Sequence, residues 1–596
     1  MLVIRVLCKA LVRFFFRDVT VVGMERIPCY GPVIFVGNHN NQFVDAVMLL
    51  ASLPRYVRFM IAEASLQRAV IGNLAQFAGS IAVKRPQDCS YKGIGKITWI
   101  SEALTETERE SLGIPPRSGK FHHLHRVVGE GTKFRIDCKV KDLLSSTTLQ
   151  PCACHQIISD TELITYGENA VLDEPKEPEA FKISPKMDQT EVYSAVSEAL
   201  REGETIGIFP EGGSHDRTEM LPLKPGVAVM ALNAAINGVE DIMIVPIGLH
   251  YYQAHKVMSD ATFHIGRPVT VPQHLVDLYA TDRERATNEL LSVIRQGLNE
   301  TIVRAPDYET LQMIRLCTSL YPPEKNHFSR EKTWELYHLF STILYQCDSP
   351  QMRSLLESLR EYKTVLDYFG LQDNEVWQLR QSSHEAMFSL FEKCGLLLIH
   401  LVWALPFMGM WGPARMASHY LSEQHRQAAV KKSSVKIRGT DVIASYKIIT
   451  LLMIFPFWNA FLGFLVGLVL TPSWGGVLCM VALFLTVLPF LYWRSISHYE
   501  LVWPLTRNML LQVQVLVGKF NIWRETERLI VTRRMEVQIL LRDSVRTSVT
   551  AELQQKFDSL LPRAVLEADT RRLERERGEY VPLMPKIFPE VQEEIL

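Results

Sequence analysis

No sign of charge prevails in this chain. Its 596 residues carry 64 Lys and Arg against 65 Asp and Glu, a net of −1. A partner held by the field of the whole protein is therefore excluded, and any electrostatic recognition must be local. No stretch interleaves basic with aromatic residues, which gives nucleic-acid binding no support. A disulfide framework is missing too. The ten cysteines are scattered without a pairing pattern, so reduced thiols are expected. Cys152-Ala-Cys154-His155 is the one close set, and it lacks the second half that a zinc site needs. No metal is expected. His122, His123 and His125 read as a solvated loop. Nor is a signal peptide expected at the N-terminus. Arg5, Lys9, Arg13 and Arg17 recur every four residues through what would be its apolar core. On a helix that spacing makes one basic stripe, with Leu2, Val3, Ile4, Val6, Leu7 and Leu11 among the apolar residues around it. An amphipathic helix over residues 1–18, lying in a membrane interface, is the expectation. The last three residues, Glu594-Ile595-Leu596, match neither a peroxisomal nor a retrieval address.

What is present is a repeating α/β rhythm. Val33-Ile34-Phe35-Val36 is a short β-branched and aromatic run after the Gly31-Pro32 turn, the pattern of a buried strand. Asn38-His39 stands at its end, and a helix starts near Asp45. On one continuous helix His39 and Asp45 would point away from each other. They can meet only if His39 lies in the loop made by Asn40-Asn41, where a carboxylate could orient an imidazole base. A second strand over Ser80–Val83 ends on Lys84-Arg85, and a third over Thr205–Phe209 ends on Pro210-Glu211-Gly212-Gly213-Ser214-His215-Asp216-Arg217. Two glycines, a serine and an arginine after a strand make a loop able to bring backbone N–H groups to a phosphate. Glu211 would hold a hydroxyl or fix the loop. Ile242–Ile247 is a further strand, and Pro246 inside it suggests a bulge or an edge. Strand–helix repeats with polar clusters at strand ends predict a mixed sheet covered by helices, its site at the carboxyl edge.

Residues 87–187 break the rhythm and read as a β-rich insert. Residues 301–392 read as helical. A membrane region follows over 393–495, and a charge-laced helical tail, expected to be cytosolic, over 496–596. Within the membrane region, 448–470 and 474–493 are apolar spans joined only by Thr471-Pro472-Ser473, hence a hairpin. Arg415, Arg426, Lys431, Lys432, Lys436, Arg438 and Lys447 precede it, and Arg494, Arg507 and Lys519 follow, so both ends are expected to be cytosolic. Residues 394–413 are expected to be re-entrant, broken at Pro406, so that the preceding α/β domain stays on the cytosolic side.

The blocks GPVIFVGNH…D, GSIAVKR, IFPEGGSHDR and IVPIGLHYY, in that order over residues 19–300, resemble the four motifs of the glycerolipid acyltransferases. The likeness is strongest to the fungal-type glycerol-3-phosphate/dihydroxyacetone-phosphate acyltransferases, through NHNNQFVD, FPEGGSHDR and the Gly131–Phe134 stretch GTKF. The resemblance implies an α/β acyltransferase domain that moves a fatty acyl group from acyl-CoA to the sn-1 hydroxyl of glycerol 3-phosphate or dihydroxyacetone phosphate. It implies His39 as general base, Asp45 as its orienter, and no cofactor beyond acyl-CoA as co-substrate. Five residues, Asn40–Val44, separate His39 from Asp45 where the wider family has four, and Ser214 stands where it has arginine. The phosphate then falls to Arg217, Lys84 or Arg85, with Glu211, Gly212, Gly213 and Ser214 in the substrate loop. Acylation of lysophosphatidate at sn-2, and a catalytically silent lipid-binding scaffold, are the alternatives. The endoplasmic reticulum is the expected membrane, with the mitochondrial outer membrane as runner-up.

Overall fold

A computed structural model describes residues 2–67, 69–103, 123–149, 151–167, 177–187, 189–251, 257–323, 328–346, 349–369, 371–380, 383–432, 436–518 and 523–579. The chain forms two compact units, one from residues 57–206 and 230–240, the other from 2–56, 207–229 and 241–596.

In the first unit, Val57–Ala62 pairs in parallel with Ile81–Val83. The insert is a seven-stranded sheet, and its strands pair antiparallel among the described residues. Ile97, Trp99, Val127, Phe134 and Phe181 fill its core. Cys152 and Cys154 are buried in that core as free thiols, and no metal-ligating cluster occurs among the described residues. His125 corrects one expectation. It is not in a solvated loop but on the strand His123–Glu130, buried edge-on against Trp99. His122 lies outside the described residues.

The second unit holds the sheet that positions the site. Val33–Gly37 runs parallel to Met243–Tyr251, which is antiparallel to Ser259–Ile265, which is parallel to Phe16–Val22. The strand with Pro246 is therefore central and unbulged, not an edge. The missing N–H is tolerated because the antiparallel neighbours contact residues 243–244 and 247–251 and leave a gap at Pro246, whose carbonyl accepts from Gly266 N–H at 2.8 Å.

The N-terminal helix is Leu2–Phe15, shorter than expected, because Phe16–Val22 is already strand. Ile4, Cys8, Val12 and Phe15 are buried on its inner face, while Leu2, Val3, Val6 and Leu7 stay exposed. The basic stripe is partly turned inward. Arg5 donates to the Leu53 and Pro54 carbonyls, and Arg17, off the helix, forks onto Asp260.

Residues 301–392 and the C-terminal tail correct a second expectation, since they form one helical body. Met313, Leu339, Phe340 and Leu359 share a core with Ile530, Met535, Leu541 and Phe557. Arg534 pairs bidentately with Asp373 at 2.8 and 3.1 Å, both side chains buried, and Gln538 donates to the Leu320 carbonyl. These buried charges made the tail read as solvated.

Among the described residues, three helices are long and apolar enough to cross a membrane, with spans at His384–Leu405, Thr440–Leu470 and Trp474–Val513. Thr440–Leu470 and Trp474–Gly518 pack closely where Gly463 and Gly467 meet the Val481 and Val477 backbones, a small-xxx-small contact. Ser383–Lys432 is one continuous helix of 50 residues. It passes Pro406 unbroken, so the re-entrant break expected there is absent. At ~1.5 Å per residue a helix of that length cannot fold back on itself.

Candidate active site

The strand Val33–Gly37 is buried along its length. Asn38 fixes its end by a reciprocal pair with Leu249, donating to its carbonyl at 3.0 Å and accepting from its N–H at 2.7 Å. His39 then leaves the sheet in a loop, as the spacing to Asp45 required. Its ring stacks flat on Phe209 at 4.4 Å. Its Nδ1 donates to Asp45 Oδ2 at 2.8 Å, and the side chain is 18% exposed. Asp45, in the first turn of helix Gln42–Ser52, is fully buried. It also accepts from Asn41 N–H at 2.9 Å and from the Tyr251 hydroxyl at 2.6 Å. Burial and the Asp45 carboxylate push the Tyr251 hydroxyl well above its usual pKa, so it stays a donor. This arrangement fixes the imidazole tautomer and leaves Nε2 as the proton acceptor.

The loop after Thr205–Ile208 meets the same histidine through its backbone. Glu211 is buried, accepting from His39 N–H at 2.8 Å, from Leu221 N–H at 2.7 Å, and from the His215 ring. Both carboxylate oxygens are thus occupied in holding the loop. Gly212 takes φ +73°, the left-handed region that favours glycine, and its N–H closes the turn on Phe209. Gly213 leaves open space beside it.

Ser214 does not face a substrate. Its buried hydroxyl donates to Asp441 at 2.6 Å, and Lys436 bonds both its carbonyl and that carboxylate. Asp216 accepts from the N–H groups of Ile437 and Arg438 at 2.8 Å each, and of Thr440. Burial raises its pKa, but these N–H groups outweigh that and hold it below the usual carboxylate range. The loop is thereby latched to the start of the apolar helix Thr440–Leu470. Arg217 is exposed and borders a cavity of about 140 Å³, together with Tyr251 and with Asn38 and Asn40, the residues on either side of His39 in the chain. Lys84 and Arg85 belong to the other unit. There Arg85 forks onto Asp88 at 2.7 and 2.9 Å, and the Lys84 carbonyl accepts from Gln189.

Sequence reading missed Tyr251, His215, Phe209 and the Lys436–Asp441 latch. Tyr251 stood within IVPIGLHYY, but no local pattern ties it to Asp45, 206 positions away. Lys436 read only as one of the basic residues before an apolar span, and Asp441 carried no signal of its own.

A histidine oriented by a buried carboxylate at a strand end is an arrangement suited to general-base chemistry. Residues 18–111 and 177–250 match the acyltransferase family model, and residues 313–549 match the model of the glycerol-3-phosphate acyltransferase 2 C-terminal domain. The chain is 34% identical over 465 residues to an uncharacterized acyltransferase of Schizosaccharomyces pombe, covering 76% of this chain and 66% of that protein. It is 33% identical over 469 residues to glycerol-3-phosphate O-acyltransferase 1 of Saccharomyces cerevisiae, covering 75% and 59%. For glycerol-3-phosphate O-acyltransferase 2 of the same yeast the figures are 29% over 473 residues, 76% and 63%. The matches thus span at most 66% of these relatives' lengths. The chain thus carries an acyltransferase domain followed by a C-terminal domain of the glycerol-3-phosphate acyltransferase 2 type.

Proposed function

We propose that this chain transfers a fatty acyl group from acyl-CoA to the sn-1 hydroxyl of glycerol 3-phosphate, dihydroxyacetone phosphate or both. The observation that carries the reading is His39 held by fully buried Asp45. His39 Nε2 takes the hydroxyl proton as that oxygen attacks the thioester carbonyl. The C–S bond then breaks, and the imidazolium returns the proton to the CoA thiolate. Asp45 stabilises the imidazolium without becoming protonated, as in a triad that lacks a nucleophile. Arg217 contributes a fork to the acceptor phosphate. The test uses microsomes from an acyltransferase-deficient host, given labelled acyl-CoA with glycerol 3-phosphate, dihydroxyacetone phosphate or lysophosphatidate. Product from either of the first two is expected. Product from lysophosphatidate alone would move the reaction to sn-2, and no product from any acceptor would favour the silent scaffold.

The helical body bears on topology. Residues 313–376 and 530–573 share a core although three apolar helices lie between them in sequence. One core cannot sit on both sides of a bilayer, so an even number of the three crosses it. The glycine-packed hairpin is the crossing pair. The first half of Ser383–Lys432 lies instead against the later part of Trp474–Gly518, where the Ser495 hydroxyl donates to the Ala404 carbonyl at 3.3 Å and the His400 and His498 rings bond at 2.6 Å. Both halves of the helical body then face the cytosol from the endoplasmic reticulum membrane. Cysteine-labelling of sealed microsomes is expected to reach sites before residue 376 and after residue 523 alike. Protection of one site with labelling of the other would overturn the hairpin topology, and co-fractionation with a mitochondrial outer-membrane marker would overturn the organelle.

A further inference from the structure

The cavity bordered by Asn38 and Asn40, the residues flanking His39 in the chain, has one wall that the acyltransferase domain does not supply. Leu311 and Arg315 line it from helix Tyr308–Leu320, and Trp334 and Tyr337 from helix Arg330–Gln346. Each pair is three or four positions apart, hence on one helix face. Met313, Ile314 and Cys317 of the first helix are buried in the helical core, which leaves Arg315 on the cavity side.

Two donors on this wall lack partners. Arg315 makes no hydrogen bond or ion pair among the described residues. Trp334 is 3% exposed, yet its Nε1–H is buried with no acceptor. A buried donor without a partner is costly, which suggests that a ligand completes it. The indole is held in place by rings, stacking on His264 at 4.0 Å and on His338 at 5.3 Å. His250, which also borders the cavity, is pushed by burial down to about 4 and carries no charge at neutral pH. Glu211 is occupied by the loop, and exposed Glu219 is the other carboxylate on the lining. The cavity's fixed positive charge therefore comes from Arg217 and Arg315.

Size separates the two substrates. Sites for drug-sized ligands occupy ~300–1,000 Å³, and this cavity measures about 140 Å³. It suits a small phosphate monoester and not acyl-CoA.

We propose that the helical C-terminal region completes the acceptor site. Arg315 forks onto the phosphate of the small phosphorylated acceptor, and Trp334 Nε1–H donates to the same group. The family's acyltransferase motifs alone would then make only part of the binding site. This rests on the acyl-transfer reading above.

The test varies glycerol 3-phosphate and acyl-CoA separately, using the full chain in microsomes. Arg315→Gln is expected to raise the acceptor KM by roughly tenfold or more and to leave the acyl-CoA KM within about twofold. Arg217→Ala should also raise the acceptor KM. Arg315→Lys should recover part of the loss, since it keeps the charge but not the fork. Trp334→Phe, which keeps a packing ring and removes the donor, should raise the acceptor KM by a few-fold. As a second readout, glycerol 3-phosphate should raise the melting temperature of the purified detergent-solubilised wild type and not of Arg315→Gln. An unchanged acceptor KM in Arg315→Gln, or a rise confined to acyl-CoA, would overturn the proposal. If the wild type acylates no phosphorylated acceptor, the functional reading itself fails. A wild type that turns over while Arg315→Gln matches it fails this inference alone.

Discussion

Replacing His39 with alanine is expected to lower kcat by ~10²–10⁴-fold, the range associated with losing a positioned general base. Asp45→Asn is expected to fall in the same range for a different reason. Asp45 receives three donors, His39 Nδ1–H, Asn41 N–H and the Tyr251 hydroxyl. Asparagine can accept with one oxygen only. Its amide would face a donor, turning the imidazole to the wrong tautomer and leaving Nε2 protonated. It would also remove the charge that stabilises the imidazolium. Asp45 is fully buried, so no water replaces the lost acceptor. The measurement is initial rate in microsomes, normalised to protein level by immunoblot. Either variant turning over at the wild-type rate would remove His39 or Asp45 from the mechanism.

Glu211→Gln is expected to be nearly as damaging although the residue need not touch the reacting atoms. The carboxylate ties His39 N–H, Leu221 N–H and the His215 ring to one point. Glutamine keeps the volume but offers one acceptor oxygen. At least one buried N–H group then loses its partner, costing ~1–3 kcal/mol each. Loosening the His39 backbone moves Nε2 away from its working position, and kcat should drop by about 10–100-fold. The melting temperature of the purified protein should fall as well. A lower melting temperature with unchanged kcat would mean that the loop, and not the position of His39, depends on Glu211.

The two halves of the site differ in how far they could be read from sequence. His39 and Asp45 were legible because an apolar run, two asparagines and a helix start constrain where a histidine can sit relative to a carboxylate six positions on. The loop Glu211–Arg217 was legible as a loop, through its glycines after a strand. The partition of work inside it was not. Ser214 and Asp216 have the chemistry of substrate-binding residues but hold Lys436, Asp441 and the start of an apolar helix more than 220 positions away. Arg85 looked available at a strand end and is engaged by Asp88 one turn on. The tail misled in the opposite direction. Arg534 and Arg542 gave it a charged look, yet both are buried beside Asp373 and Asp569.

By itself the sequence determined the elements. Period-two and period-3.6 apolar patterns, turn residues and long apolar runs act over a few neighbours, so strands, helices, insert and hairpin could be placed without knowing how they pack. Tertiary structure alone decided which polar side chains remain available for chemistry. A carboxylate or guanidinium is free or occupied according to a partner that folding brings in from elsewhere in the chain. Tyr251 on Asp45, the Lys436 latch on Ser214, and the unpartnered Arg315 and Trp334 beside the cavity are all outcomes of that kind.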